Sequence, residues 1–241
     1  RAIMGNSSDL NSLRVERSPT EKKLMITGTL PQDSPPELGA TAIPDPEMHF
    51  LRLLRSELIK QGIQLSKVGK NQSEISTGFS SELPTIEVAF VLSPTLTELI
   101  EVINKDSNNL YAEALLRRIG TLSKTSDDSD IKGINLVMEF LKSKGISEVS
   151  IKDGSGLSGL NLITPKAIAK LLSVMAGNKI FRASLAIAGI DGTLKNRFKS
   201  TIAENTLPVN IQAKTGTLTG VNALSGYLQP PKYSELAFSI V

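Results

Sequence analysis

The 241 residues carry 27 Lys+Arg against 24 Asp+Glu, a net charge of +3, with 40% hydrophobic and 21% charged residues. This composition excludes wholesale disorder and allows one large domain, or one domain with part of another. The weak charge, with seven Phe, three Tyr and no Trp, argues against a nucleic-acid partner; absent cysteine excludes disulfides, thiolate metal sites and Cys nucleophiles.

Residues 1–42 combine a Ser-rich stretch over 7–18, a strand-like Leu24-Met-Ile-Thr-Gly28, and Pro31, Pro35, Pro36 and Gly39, the pattern of a domain edge and a linker. From Ile43 the pattern changes. Asp45-Pro46-Glu47 predicts a helix start, with Phe50, Leu51, Leu54 and Leu58 on one face and Gly62 as the stop. Ile86-Glu-Val-Ala-Phe-Val-Leu92 reads as a buried strand. Thr95-Leu-Thr-Glu98 fits a capping box ahead of Leu96, Leu99, Ile100 and Ile103 at helical spacing. Ala112, Leu115, Leu116 and Ile119 predict a helix ending at Gly120, and Ile134, Val137, Met138 and Leu141 another ending at Gly145. Glu148–Lys152 is strand-like, Asp153–Gly159 is a Gly/Ser loop, and Thr164-Pro165 starts a helix. Asp191-Gly192 signals a turn, Ile211–Leu218 and Asn222–Leu228 form a hairpin around Gly220, and 235–241 is a last strand. Helices clustered ahead of closing strands predict an antiparallel sheet with helices packed on it, a mixed α/β fold of the α+β kind. Arg1 opens the sequence without Met and Val241 falls inside a strand-like run, so both ends read as cut and the sequence as a piece of a longer protein.

Several motifs carry candidate chemistry. Gly154-Ser-Gly-Leu-Ser-Gly159 matches G-x-G-x-x-G, but no helix start follows until Thr164, so a tight surface loop is the better reading than a dinucleotide site. His49, the single histidine, lies upstream of these serines on an amphipathic helix, in the wrong order for a hydrolase triad. Lys214-Thr-Gly216-Thr217 is rare by chance. A Lys on an edge strand supplies positive charge, a small Gly admits a substrate backbone, and alternate Thr hydroxyls point one way. That suits a ligand with a carboxylate and an extended peptide backbone. Ser107-Asn-Asn109 fits S-x-N, which is common by chance, but here it lies between two helices. S-x-N and K-T-G accompany S-x-x-K in penicillin-recognising serine enzymes. The one S-x-x-K match, Ser129-Asp-Ile-Lys132, sits among Asp127, Asp128 and Asp130. These carboxylates would keep the Lys charged. Ser129 is better read as a helix cap and is rejected as the nucleophile.

Four blocks then occur in the order of a known family: Asn104 to Gly120, Asp153-Gly-Ser-Gly-Leu-Ser158, Ala188-Gly-Ile-Asp-Gly-Thr193 and Lys214-Thr-Gly-Thr-Leu-Thr-Gly220. From Ile43 to the end the chain resembles the D-alanyl-D-alanine carboxypeptidase/endopeptidases called class C low-molecular-mass penicillin-binding proteins, the penicillin-binding protein 4 type. Met25–Pro46 resembles the exit from that family's inserted domain. The resemblance implies a penicillin-binding, serine β-lactamase-like domain over 43–241, preceded over 1–42 by a linker and a remnant of an inserted β-rich domain. It places the S-x-x-K nucleophile before Arg1, so the fragment is expected to be inactive alone.

The resemblance implies acyl transfer at the D-Ala-D-Ala bond of peptidoglycan stem peptides, with β-lactams as mimics and no metal or cofactor. It implies that Ser107 relays a proton, Asn109 binds the substrate amide, and Lys214 polarises Ser107. Thr215 and Thr217 would bind the substrate carboxylate, Gly216 would admit the backbone, and the Thr217 N–H would form half of an oxyanion hole. The block Ile190–Thr193 is assigned no chemical step. A periplasmic or other extracytoplasmic location is implied, with membrane association and a homo-oligomer left open. A serine β-lactamase and a non-catalytic wall-peptide-binding module are the alternatives.

Overall fold

In the computed structural model, residues 2–5, 11–17, 23–36, 41–64, 87, 89–198, 210–230 and 233–241 are described. The chain divides into two compact units, Arg1–Ile86 and Glu87–Val241. The expected boundary at 42/43 differs from this division, which groups the helix after Asp45 with the first unit.

In the first unit, β1 (Ala2–Gly5), β2 (Arg14–Glu16) and β3 (Met25–Pro31) form a sheet in the order β1-β3-β2. β1 runs parallel to β3 and β2 antiparallel to it. Helix α1 (Pro46–Lys60) begins where the sequence places it, with Asp45 Oδ1 accepting from the Met48 N–H at 3.3 Å. Its predicted apolar face is not a core face: Phe50 is 63% and Leu54 43% exposed, and no residue of α1 is buried.

The second unit holds the helices α2 (Leu96–Lys105), α3 (Asn109–Gly120), α4 (Ser129–Ser143), α5 (Pro165–Met175) and α6 (Lys179–Ser184). The short strands β4 (Val149–Ser150) and β5 (Leu162–Ile163) pair with each other. The main sheet is antiparallel, in the order β6 (Ala186–Ile187), β7 (Asn210–Leu218), β8 (Val221–Gln229) and β9 (Leu236–Ile240). This is the expected antiparallel sheet with helices packed on it.

Two expectations need correction. Residues 87 and 89–92 form no strand; Phe90, Val91 and Leu92 are 69%, 96% and 81% exposed, and no described strand pairs with them. An apolar run becomes a strand when a neighbour completes its hydrogen-bond ladder. Ile86 and Val88 of that run lie outside the described residues, as do Gly39 and residues 7–10 and 18 of the Ser-rich stretch. Asp128, not Ser129, occupies the N-cap of α4, with Ser129 its first helical residue.

The alternation of side chains across the sheet sorts its two faces. Tyr227 and Ala237 share one face and pack on Leu172 of α5 and on Leu185, with the Tyr227 hydroxyl donating to the Leu172 carbonyl at 2.6 Å. On the other face Ile211, Ala213, Leu224 and Phe238 pack with Leu194 and Phe198. Leu194 closes a 3₁₀ turn, Gly192–Leu194, in the segment that follows β6. Gly192 has φ +54°, and a Cβ there would lie 2.7 Å from the Lys105 carbonyl oxygen. Glycine is what lets this turn lie against the end of α2.

Candidate active site

Strand β7 is covered on one edge by β8 along its whole length, from Asn210↔Gln229 to Leu218↔Val221. On its other edge β6 pairs through Ala186↔Ala213 and Ile187↔Gln212 alone. Lys214 through Leu218 therefore present a strand edge with no described strand beside it. A peptide backbone can add along such an edge.

Lys214 shares a sheet face with Gln212 and, across the ladder, Ser225, the face on which α5 packs. Its ammonium donates to the Ser107 hydroxyl oxygen and to the Thr215 carbonyl, the latter at 2.8 Å. Burial pushes the Lys214 pKa below the ordinary lysine value, because desolvation disfavours the charged form.

Ser107 stands between α2 and α3. Thr95 and Glu98 form the capping box that starts α2, with the Thr95 N–H donating to Glu98 at 2.7 Å. Ser107 itself has φ +59°, a left-handed conformation costing a non-glycine residue roughly 1–3 kcal/mol. Asn108 caps α3, its Oδ1 accepting from the Tyr111 N–H at 3.0 Å. Asn109 is the first residue of α3 and is exposed. The S-x-N motif is thus a helix cap and a candidate site together, with the middle residue taking the capping duty.

Thr215 and Thr217 lie on the sheet face opposite Lys214, continuing the row of Ala213. The Thr215 hydroxyl donates to the Thr193 hydroxyl at 2.8 Å. Thr217 and Gly216 are exposed, and a Cβ on Gly216 would meet only Ala223 Cβ, at 3.4 Å. The structure thus brings Ser107, Lys214 and Thr215 into one constellation, with Gly216 and Thr217 next on the strand. Asn109 is placed two residues from Ser107 without a hydrogen bond to the others.

Ser129 and Lys132 lie elsewhere. A Cβ on Gly120 would meet the Ser129 carbonyl oxygen at 1.7 Å, so the start of α4 abuts the C-terminal end of α3. The Ser107 loop is at the N-terminal end of α3, roughly 16 Å away along its axis at 1.5 Å per residue. The Gly/Ser loop is built on Asp153, whose carboxylate accepts from the Gly156 and Ser158 N–H groups and from Asn161 Nδ2, each at 2.8 Å. Burial raises the Asp153 pKa, but these bonds outweigh it and leave it lowered. After the loop no helix begins until Pro165, so the loop has no dinucleotide-binding geometry. An apolar cavity of about 380 Å³ between the helices is lined by Ile100, Leu116, Phe181 and others and includes neither Ser107 nor Lys214.

Sequence reasoning missed the partners of the 186–194 segment. Asp191 Oδ1 accepts from the Ile187 N–H at 2.7 Å, and Asp191 Oδ2 receives Lys105 Nζ at 2.9 Å. The recurrence of Ala188–Thr193 in the family's blocks was the available signal.

These features define the penicillin-binding fold. The chain superposes on penicillin binding protein 4 of Haemophilus influenzae, in complex with a β-lactam, with a TM-score of 0.69 and 26% identity, over 95% of this chain and 52% of that one. Residues 4–241 match the D-Ala-D-Ala carboxypeptidase 3 (S13) family, and the chain belongs to it. It is 34% identical over 256 residues to a D-alanyl-D-alanine carboxypeptidase of Actinomadura sp. (strain R39), covering 100% of this chain and 45% of the relative. It is 31% identical over 235 residues to penicillin-sensitive carboxypeptidase A of Dictyostelium discoideum, covering 92% and 43%. The chain thus spans less than half the length of these relatives.

Proposed function

We propose that the protein is a serine-type D-Ala-D-Ala carboxypeptidase/endopeptidase acting on peptidoglycan stem peptides by acyl transfer. The observation that carries this reading is the hydrogen bond from Lys214 to Ser107 at the open edge of β7.

A lysine ammonium has three donors and no acceptor. Because Lys214 donates to Ser107 Oγ, the Ser107 proton is left to point elsewhere, towards the nitrogen of the scissile amide. The attacking serine and the lysine that takes its proton belong to residues outside these 241. That serine adds to the carbonyl carbon of the penultimate D-Ala, and the C–N bond breaks. The terminal D-Ala leaves with a proton relayed through Ser107, and water then hydrolyses the ester. Asn109 holds the substrate amide. The Thr215 and Thr217 hydroxyls and the Lys214 charge hold the terminal carboxylate, and Gly216 lets the substrate backbone approach. The Thr217 N–H supplies one oxyanion donor; such a donor is worth about 2.7–4 kcal/mol. β-Lactams acylate the same serine as dipeptide mimics. The substrate puts the reaction outside the cytoplasm. Among the described residues no helix is long and apolar enough to cross a membrane. In domain terms, 1–42 ends an inserted domain and 43–241 is the C-terminal part of the catalytic one.

The test is fluorescent-penicillin labelling of the complete protein, with release of D-Ala from a peptide ending in D-Ala-D-Ala. Covalent label and released D-Ala are expected. Reversible binding without label makes the protein a wall-peptide-binding module; rapid turnover of the penicillin makes it a β-lactamase.

A further inference from the structure

We propose that Asp191 is a positioning residue, its carboxylate holding the end of α2 against the edge of β7 and so setting the Ser107–Lys214 contact. The functional consequence rests on the activity proposed above; the geometric one does not.

The two carboxylate oxygens serve two elements. Oδ1 accepts from the Ile187 N–H at 2.7 Å, and Oδ2 receives Lys105 Nζ at 2.9 Å. Ile187 pairs with Gln212, two positions before Lys214. Lys105 is the last residue of α2, two positions before Ser107. The carboxylate is therefore joined to each member of the Ser107–Lys214 pair through a two-residue arm. The bridge is partly withdrawn from water, with Lys105 19% and Asp191 30% exposed. Gly192 lies against the Lys105 carbonyl on the same seam. Thr193, the next residue, accepts from the Thr215 hydroxyl.

Ser107 needs such a brace because its backbone is left-handed. A loop held in a sparsely populated conformation relaxes when its surroundings stop determining it. Lys105 has a second acceptor on its own helix, Glu101 at 2.6 Å. Removing the Asp191 charge therefore leaves no orphaned ammonium. An amide at 191 would still accept from Ile187. Asp191→Asn thus removes the side-chain link between the Lys105 end of α2 and β6 while sparing the sheet.

The experiment uses the complete protein. Acylation by a fluorescent penicillin is measured to saturation, separating the limiting rate from the half-saturating concentration. Asp191→Asn and Lys105→Met are expected to cut the limiting rate roughly ten- to a hundredfold, with half-saturation changed less than about threefold, since misplacement by an ångström can cost about 10²-fold. The double variant is expected to be no slower than the slower single one, because both cut the same link. Lys105→Arg, which keeps the ion pair, restores most of the rate. A crystal structure of Asp191→Asn is expected to show Ser107 Oγ beyond hydrogen-bond reach of Lys214 Nζ. A wild-type limiting rate in Asp191→Asn, multiplicative losses in the double variant, or an intact Ser107–Lys214 bond in the crystal overturns the proposal. If Asp191→Asn does not fold, Lys105→Met decides by the same measurements. If the wild-type protein takes no penicillin, the functional reading fails and the crystal structure alone decides the role of Asp191.

Discussion

Lys214 and Ser107 are separated by 107 positions in the chain and joined by a hydrogen bond. The lysine lies mid-strand on β7 and the serine lies between two helices, so the pairing exists only when sheet and helices are packed together. Burial lowers the lysine pKa, yet its two acceptors, the Ser107 hydroxyl and the Thr215 carbonyl, are neutral. No carboxylate is among its hydrogen-bond partners, so a charge on the group is left to act on a bound anion.

Lys214→Ala in the complete protein is therefore expected to abolish fluorescent-penicillin labelling, a loss of at least ~10²-fold if a charged donor at the reacting centre is removed. The fold should survive, because the variant removes a half-buried cation and leaves only the Ser107 hydroxyl and the Thr215 carbonyl to find other partners. Labelling and a thermal melt on the same sample check both parts. Retained labelling would place the chemistry away from this strand.

What could be read from the sequence was local. The starts of α1, α2 and α5 were legible because Asp45, Thr95 with Glu98, and Thr164 each bond backbone N–H groups within one turn. The β7–β8 hairpin was legible because apolar alternation flanks Gly220, which has φ +79°. The strands β5 and β6, of two residues each, and the six-residue α6 were missed, being too short for any periodicity to register. Phe90 to Leu92 misled because apolar character reports a wish for burial, not the presence of a neighbour. Ser107, Asn109, Lys214 and Thr215 were found as motif members. Asp191 is visible in its block, but its ion-pair partner is Lys105, a residue no spacing rule connects to it.

Thr215→Val should separate carboxylate recognition from chemistry. A hydrogen bond to a charged group is worth about 1.5–3 kcal/mol, so kcat/KM on a peptide with a free C-terminal carboxylate is expected to fall roughly ten- to a hundredfold. The C-terminal amide of the same peptide offers no such charge and should lose much less. Equal losses on both peptides would show that Thr215 acts on the strand rather than on the substrate. The hydroxyl of Thr193, 2.8 Å from that of Thr215, would lose its donor in this variant, so Thr193→Val is the control for an indirect effect.

Gly192→Ala should be costly for its size. Its added Cβ would lie 2.7 Å from the Lys105 carbonyl oxygen and 2.9 Å from Ala186 Cβ, at a φ of +54°. Overpacking typically costs about 1–3 kcal/mol, and the left-handed backbone adds to it. A urea or thermal melt of the complete protein reads the loss. An unchanged midpoint would mean that α2 and the 3₁₀ turn are free to separate.

Arg182 and Glu235 give a stability test remote from the site. The guanidinium donates to both carboxylate oxygens, at 2.6 and 2.5 Å, while also bonding Gln212 and stacking over the Tyr227 ring at 3.9 Å. It ties α6 to the segment entering β9, and the Arg182 bonds hold the Glu235 carboxyl below its usual pKa. A group with a depressed folded pKa contributes stability above its unfolded value, about 4.3 for Glu, and loses it as pH falls through the folded value. Glu235→Gln is therefore expected to destabilise the protein by about 1–2 kcal/mol at neutral pH, the scale of a charge-assisted bond at a partly exposed site. The gap from wild type should close progressively below pH ~4. Melts across that range check the sign; a gap that widens in acid would mean that the carboxylate contributes nothing through Arg182.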